Sequence, residues 1–330
     1  MPERLLVITN RNAGTADDEA VNRALNVLRE EAWAEVRSTG TMAELTDALT
    51  DSDHRTIVVA GGDGSLHAVV QALYDLGELG DRTLGLIPLG TGNDFARTLD
   101  IPRSARRSAR IVLEGRPRHT DVVVDDDGRV TVNNVHMGAG VDAGDRGARW
   151  KARLHKISDT VGLGPIGLGP VNLGPLGIGA ARVGPANLGK FGYPIGALQT
   201  AISPPMLEVS IEVDGKLVAD DERVLMVAIG NGATVGGGTR LTPGADPHDG
   251  MLDILIATPA GLLDQLEYLI HLQAGRQEGY AKARLLRGRT ITVRGRPFDV
   301  NSDGEIGGPV TERTWRVLPG AYSMLVPEPA

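Results

Sequence analysis

Two short glycine turns carry polar side chains in a pattern suited to holding phosphate. The first, Gly61-Gly62-Asp63-Gly64-Ser65, follows the β-branched run Ile57-Val58-Val59 and leads into Leu66, Val69, Val70 and Leu73 at helical spacing. A strand, a glycine turn and a helix start together let backbone N–H groups meet an anion. Glycine permits close approach, and the first turn of a helix leaves donors unpaired. Asp63 repels phosphate, so it must hold the loop by hydrogen bonds or act through a metal ion. A tight turn capped by Asp63 or Ser65 would read the same way. The second turn, Gly90-Thr91-Gly92-Asn93-Asp94, closes another buried-strand run, Leu84-Gly85-Leu86-Ile87. Parallel strands bring such turns to one sheet edge, where open α/β folds bind ligands.

Two later turns are acidic. Asp246 and Asp249 share one loop with Gly250, and oxygen ligands on a tight loop suit Mg²⁺. An Asp-Gly turn between strands is the plain alternative. Asp303-Gly304-Glu305 also reads as a turn, but a turn does not require Glu305. A carboxylate near a bound phosphate could accept the proton of an attacking hydroxyl. The seven histidines are scattered, with no close pair at metal-ligand spacing, and no Gly-Lys-Ser/Thr phosphate motif occurs.

The elements that must position these turns fall into two groups. Leu5 to Ile8 form a strand, followed by the turn Asn10 to Gly14 and a helix to about Trp33 with Val21, Ala24, Leu25 and Leu28 on one face. Val36 lies in a second strand, with Thr39 just past it; Met42 to Leu49 form a helix and Ile57 to Ala60 a third strand. This alternation predicts a parallel sheet covered on both faces. From about Asp121 the rhythm becomes antiparallel β. Val122 to Val124 turn into Val130 to Val132, and Leu207 to Val213 turn through Asp214-Gly215 into Lys216 to Val218. Strands follow at Val224 to Ile229, Leu252 to Ile256, Thr290 to Val293 and Phe298 to Val300, with a helix at about Ala260 to Gln273. The last strand, Tyr322 to Val326, is expected to return to the first domain.

The domains are therefore placed at 1–120, joined by 315–330, and at 121–314. A five-residue Gly/Pro repeat interrupts the second domain at about 160–190. Its proline and glycine content forbids a helix. The basic stretch around Trp150 just before it suits an anionic membrane surface; a flexible insertion is the plain reading. The net charge of −8 argues against general nucleic-acid binding, and the absence of cysteine rules out thiol chemistry. Met1 to Ile8 reads as a strand rather than a signal peptide, which gives a cytoplasmic expectation.

In motif order, the sequence resembles the catalytic domain of diacylglycerol and sphingosine kinases, most strongly the soluble bacterial lipid kinases. The likeness rests on Asn10-x-x-Ala13-Gly14, Gly61 to Ser65, Pro88-x-Gly90-Thr91-x-Asn93-Asp94, Gly138-x-Gly140-x-Asp142, Lys190-x-Gly192-Tyr193, Gly236 to Leu252 and Asp303-Gly304-Glu305. It implies an NAD kinase- and phosphofructokinase-like α/β nucleotide-binding domain with a second, antiparallel β-sandwich domain. It implies ATP contacts at Asn10, Arg11, Asn12, Ala13, Gly14, Thr39, Gly61, Gly62, Asp63, Gly64, Ser65, Leu66, His67, Gly90, Thr91, Asn93 and Asp94. Glu305 becomes the base, with Asp303 and Asp63 as further catalytic groups, and Mg²⁺ falls on Asp249, Asp246 and the Met251 carbonyl. The implied activity is transfer of the γ-phosphate of ATP to a lipid hydroxyl, diacylglycerol first, by a peripheral enzyme at the membrane surface; a homodimer is carried as an option. An NAD kinase-like soluble-acceptor kinase and a non-catalytic nucleotide-binding regulator are the alternatives. Arg11 in place of the usual Pro, Thr15 where a basic residue is frequent, and the Gly/Pro repeat depart from the family pattern.

Overall fold

The computed structural model describes residues 3–11, 15–138 and 206–328, apart from scattered positions between 260 and 278. The N-terminal third alternates strand and helix, as its hydrophobic periods demand. Its elements are β1 (Glu3–Asn10), α1 (Thr15–Glu31), β2 (Ala32–Thr39), α2 (Met42–Thr50), β3 (Thr56–Gly61), α3 (Asp63–Asp75), β4 (Thr83–Pro88), α4 (Asp94–Thr98) and α5 (Ala105–Glu114). β1 pairs in parallel with β2 on one side and β3 on the other, and β3 pairs in parallel with β4. Successive side chains of β1 point to opposite faces. Leu5 and Val7 share a core with α1 and α5, whereas Leu6 and Ile8 share one with α2 and α3. All six residues of β3 are buried, as a strand covered on both faces requires. Because the chain leaves β1 toward β2 and returns past it to β3, the C-terminal ends of β1 and β3 flank a topological switch point.

The remainder is antiparallel. β5 (Arg116–Asp125), β6 (Val130–Thr131) and β7 (Asn134–Gly138) lead to β8 (Leu207–Val213), β9 (Lys216–Val224) and β10 (Met226–Gly230). A two-stranded ribbon, β11 (Thr234–Val235) with β12 (Thr239–Arg240), stands apart. β13 (Leu252–Ala257), β14 (Ala283–Gly288), β15 (Thr290–Ser302) and β16 (Glu305–Val326) complete the fold. A 14-stranded mixed sheet runs in the order β14-β13-β10-β7-β15-β16-β4-β3-β1-β2 along its main path. The fold is thus α/β plus β, and β16 joins the two parts. It pairs antiparallel with β15 and β5, then parallel with β4 at Ser323 and Met324.

Three expectations need correction. α1 ends at Glu31, and Trp33 lies in β2, 66% exposed. Pairing of Trp33 with Arg4 draws the chain into the sheet with no intervening loop. The runs at Thr290 and Phe298 are one strand, whose register shifts between Arg294 and Phe298. Pro297 has no N–H to give the ladder, so the shift falls there. The final strand begins at Glu305 rather than Tyr322. Of the helix expected over 260–273, Asp264, Glu267, Tyr268, His271 and Leu272 are described and helical, and Tyr268 and Leu272 are buried. The Gly/Pro repeat, the basic stretch around Trp150 and the motifs at Gly140, Asp142 and Lys190 to Tyr193 lie outside the described residues.

Candidate active site

The two glycine turns pack backbone on backbone. A Cβ added to Gly90 would stand 2.6 Å from the Gly62 Cα, and one added to Gly62 would stand 3.0 Å from the Gly90 Cα. No side chain fits between them, so both positions need glycine for contact rather than for a left-handed backbone. Asp63 settles its own ambiguity. Its Oδ2 accepts the Asp94 N–H and its Oδ1 the Phe95 N–H, both at 3.1 Å. Burial pushes the Asp63 carboxyl above its ordinary range, against those two hydrogen bonds. Asp63 therefore clamps the second turn to the first. Asp94 extends the clamp, since its Oδ2 accepts the Gly237 N–H at 2.8 Å and its carbonyl the Thr234 hydroxyl at 3.2 Å. Neither Asp63 nor Ser65 caps α3; Gly62 is the cap residue and makes no side-chain hydrogen bond. No side chain therefore caps the start of α3, an arrangement suited to an anion.

These loops open into a trough. A cavity of about 660 Å³ is bounded by Asn10, Arg11, Gly61, Gly62, Ser65 and Gly90. It adjoins one of about 220 Å³ that shares Asn10 and Ser65 and adds Thr39 and Gly64. That in turn shares Met42 and Ala68 with a third, of about 320 Å³, which contains His67 and Glu305. Shared wall residues thus link three adjoining cavities between the glycine loops and Glu305. Arg11 braces one side, donating to Glu44 at 3.1 Å and to the Ser38 carbonyl at 3.0 Å. A hydrogen bond from the Gly40 N–H, assisted by Arg11, holds the Glu44 carboxyl below its usual value.

Asp303 and Glu305, two residues apart, do different work. The Asp303 side chain is 2% exposed and its carboxylate is fully engaged. Oδ1 accepts the N–H groups of Asn133 at 2.9 Å and Asn134 at 3.0 Å; Oδ2 accepts that of Val132 at 2.6 Å and faces His67 Nδ1 at 2.9 Å. It has no free lone pair with which to meet a substrate, so its expected catalytic role becomes a positioning one. Glu305 is exposed on the trough wall and remains available.

The expected magnesium loop is arranged otherwise. Asp249 Oδ1 accepts the Met251 N–H at 2.9 Å, while Oδ2 is taken by Arg287. Asp246 Oδ1 accepts the His248 N–H at 3.1 Å, and its Oδ2 lies 3.8 Å from Arg118. The cause is register: β14 sets Arg287 opposite Asp253, where its guanidinium reaches both carboxylates. Among the described residues no three His, Cys, Asp or Glu side chains gather as a metal site. As folded, the loop's carboxylates are turned to Arg287, Arg118 and backbone N–H groups rather than to a shared ion position.

Of the expected ATP contacts, Asn10, Arg11, Thr39, Gly61, Gly62, Gly64, Ser65, His67 and Gly90 line the trough. Leu66 does not, because its side chain is 1% exposed in the core. Thr91 lies outside the three cavities, and Asn93 and Asp94 are buried behind the loops. Asn12, Ala13 and Gly14 lie outside the described residues. Sequence reasoning missed Met42, Gln71, Arg129 and Ile306 on the trough wall. Met42 sits where α2 starts beside Thr39 and was within reach of it; Arg129 follows an Asp-rich turn and carried no signal.

Comparison with known proteins gives two domain matches. Residues 4–124 match the diacylglycerol kinase catalytic domain. Residues 180–326 match the YegS C-terminal NAD kinase beta sandwich-like domain. A Yersinia enterocolitica protein named "Probable lipid kinase YegS-like" is 28% identical over 335 residues, 99% of this chain and 98% of that one. A diacylglycerol kinase of Bacillus subtilis is 29% identical over 272 residues, 81% of this chain and 73% of that one. The crystal structure of a Bacillus anthracis diacylglycerol kinase superposes with a TM-score of 0.71 at 21% identity, covering 98% of this chain and 97% of that one, which shows a shared fold.

Proposed function

The chain belongs to the lipid kinase family built from a diacylglycerol kinase catalytic domain and a YegS-type β-sandwich-like domain, and from that premise we propose that it phosphorylates a lipid hydroxyl with ATP. Diacylglycerol is the first acceptor, giving phosphatidic acid. The observation that carries the reading is the row of three adjoining cavities from the glycine loops to Glu305. ATP enters as its Mg²⁺ complex, with its phosphates at Gly61 to Ser65 and the start of α3. The acceptor hydroxyl approaches from the Glu305 end. Glu305 takes its proton, the new O–P bond forms at the γ-phosphorus, the bond to the bridging oxygen breaks, and ADP leaves.

Met42 and Ile306 support a lipid acceptor. Each is 46% exposed, and both stand on the wall beside Glu305, where they offer apolar contact to acyl chains. No helix among the described residues is long and apolar enough to cross a membrane.

The test is transfer of labelled γ-phosphate from ATP, with Mg²⁺, to a total lipid extract in mixed micelles. A labelled organic-soluble product is expected, and its mobility names the acceptor. Label confined to the aqueous phase would replace the lipid with a soluble acceptor. Glu305→Gln should lower turnover by at least about 100-fold while ATP affinity stays within about twofold. Joint loss of both would remove Glu305 from the role of base.

A further inference from the structure

His67, one of the expected nucleotide contacts, has surroundings that set it apart from the glycine loops. It lies two residues beyond Ser65 on α3, on the wall between the phosphate-binding start of that helix and Glu305. Its side chain is 12% exposed, against 2% for that of Asp303, 2.9 Å from its Nδ1. Three backbone N–H groups end on the Asp303 carboxylate, an arrangement that suits an accepting carboxylate with the hydrogen on Nδ1. Nε2 makes no hydrogen bond to any described residue. A neutral ring in this tautomer would leave a bare lone pair on Nε2, which cannot donate to a phosphate oxygen. An imidazolium presents a second N–H there instead.

The ring's surroundings favour that form. Burial opposes the charge, but the hydrogen bond to Asp303 and the charges of Asp303 and Glu305 outweigh it and raise the His67 pKa above its ordinary 6.5. The other charged groups nearby are Asp63 at the start of α3 and Asp125, Arg129 and Arg313 on the same wall as His67. Arg313 is itself held by Asp125, Asp126 and Asp127.

We propose that His67 is a catalytic residue of phosphoryl transfer, its imidazolium held at Nδ1 by Asp303 and donating Nε2–H to an oxygen of the transferring γ-phosphoryl group. It does there what lysine or arginine does in kinases whose phosphate motif carries one. His67 neither gains nor loses a proton in the step; the acceptor's proton goes to Glu305 and the leaving oxygen stays with ADP. The inference rests on the lipid kinase reading for its acceptor, not for its nucleotide.

Two measurements on the full chain test it. Histidine ring resonances are titrated by NMR, with His67→Asn identifying the signal, in the presence and absence of a non-hydrolysable ATP analogue with Mg²⁺. The expected result is a His67 pKa above 6.5 that rises further when the analogue binds. A pKa at or below 6.5, or one that nucleotide leaves unmoved, would overturn the proposal. In the labelled-lipid assay, wild type should lose kcat on the alkaline side as His67 deprotonates. His67→Asn and His67→Gln should each lower kcat about 100-fold and abolish that alkaline limb, with KM for ATP nearly constant. Variants that keep the limb in place would also overturn it. If wild type labels no lipid, the acceptor reading fails, and the nucleotide-induced shift of His67 still decides this inference.

Discussion

Asp303 and Glu305 sit in one turn, yet their surroundings divide the labour between them. Three buried backbone donors, from Val132, Asn133 and Asn134, end on Asp303. Removing their acceptor leaves them unsatisfied, and a buried unsatisfied group costs about 1–3 kcal/mol. Asp303→Ala is therefore expected to destabilise the protein by about 3 kcal/mol in urea unfolding, whereas Glu305→Ala, at an exposed site, should change stability by less than about 0.5 kcal/mol. Equal losses from the two would contradict the division drawn here. Asp63 illustrates the same point. Its residue type permitted either a loop clamp or a metal ligand, and the hydrogen bonds to Asp94 and Phe95 make it a clamp whatever else it meets.

The strand-turn-helix units are where packing and ligand binding separate. Gly90 has no room for a methyl group against Gly62, whereas a Cβ on Gly64 would meet nothing within 4 Å. Gly64 lies within α3, where alanine is favoured over glycine by roughly 0.5–1 kcal/mol. Gly64→Ala should thus raise or preserve the melting temperature, yet weaken ATP binding by about tenfold or more if phosphate approaches that backbone. Gly90→Ala should lower the melting temperature and ATP binding together. Calorimetry with ATP titration on both variants checks this. Unchanged affinity in Gly64→Ala would move the phosphates away from the start of α3.

Across the whole molecule, β16 is the shared element. Its first half pairs with β15, and its last residues pair with β5 and β4. Tyr322, Met324 and Val326 belong to the core of the α/β part, and Trp315 and Val317 to that of the β part. Ending the chain after Gly320 would remove Tyr322, Met324, Leu325 and Val326 from the cores they fill, a loss of about 2 kcal/mol each. That sum rivals the stability of an ordinary domain, about 5–15 kcal/mol. The truncated chain is expected not to fold in either part. In the intact protein, fluorescence from buried Trp315 and helical circular dichroism should melt at one temperature. Two separate transitions would show that β16 does not couple the parts.

The alternation of strands and helices, the two glycine turns and the family itself were legible in the sequence because each depends on local order: hydrophobic period, a backbone that needs glycine, motifs in series. What only the tertiary structure decided depends on partners far away in the chain. Glu305 stands free while Asp303 is saturated, because β7 and the turn before it deliver three N–H groups from about 170 residues away. Arg287 reaches Asp249 through the β13–β14 register, which no motif encodes. His67 read as one more residue of a phosphate loop until Asp303, 236 positions later, was found on its ring. Side-chain type and spacing set what each group can do; the sheet that brings distant groups together sets which of those things it does.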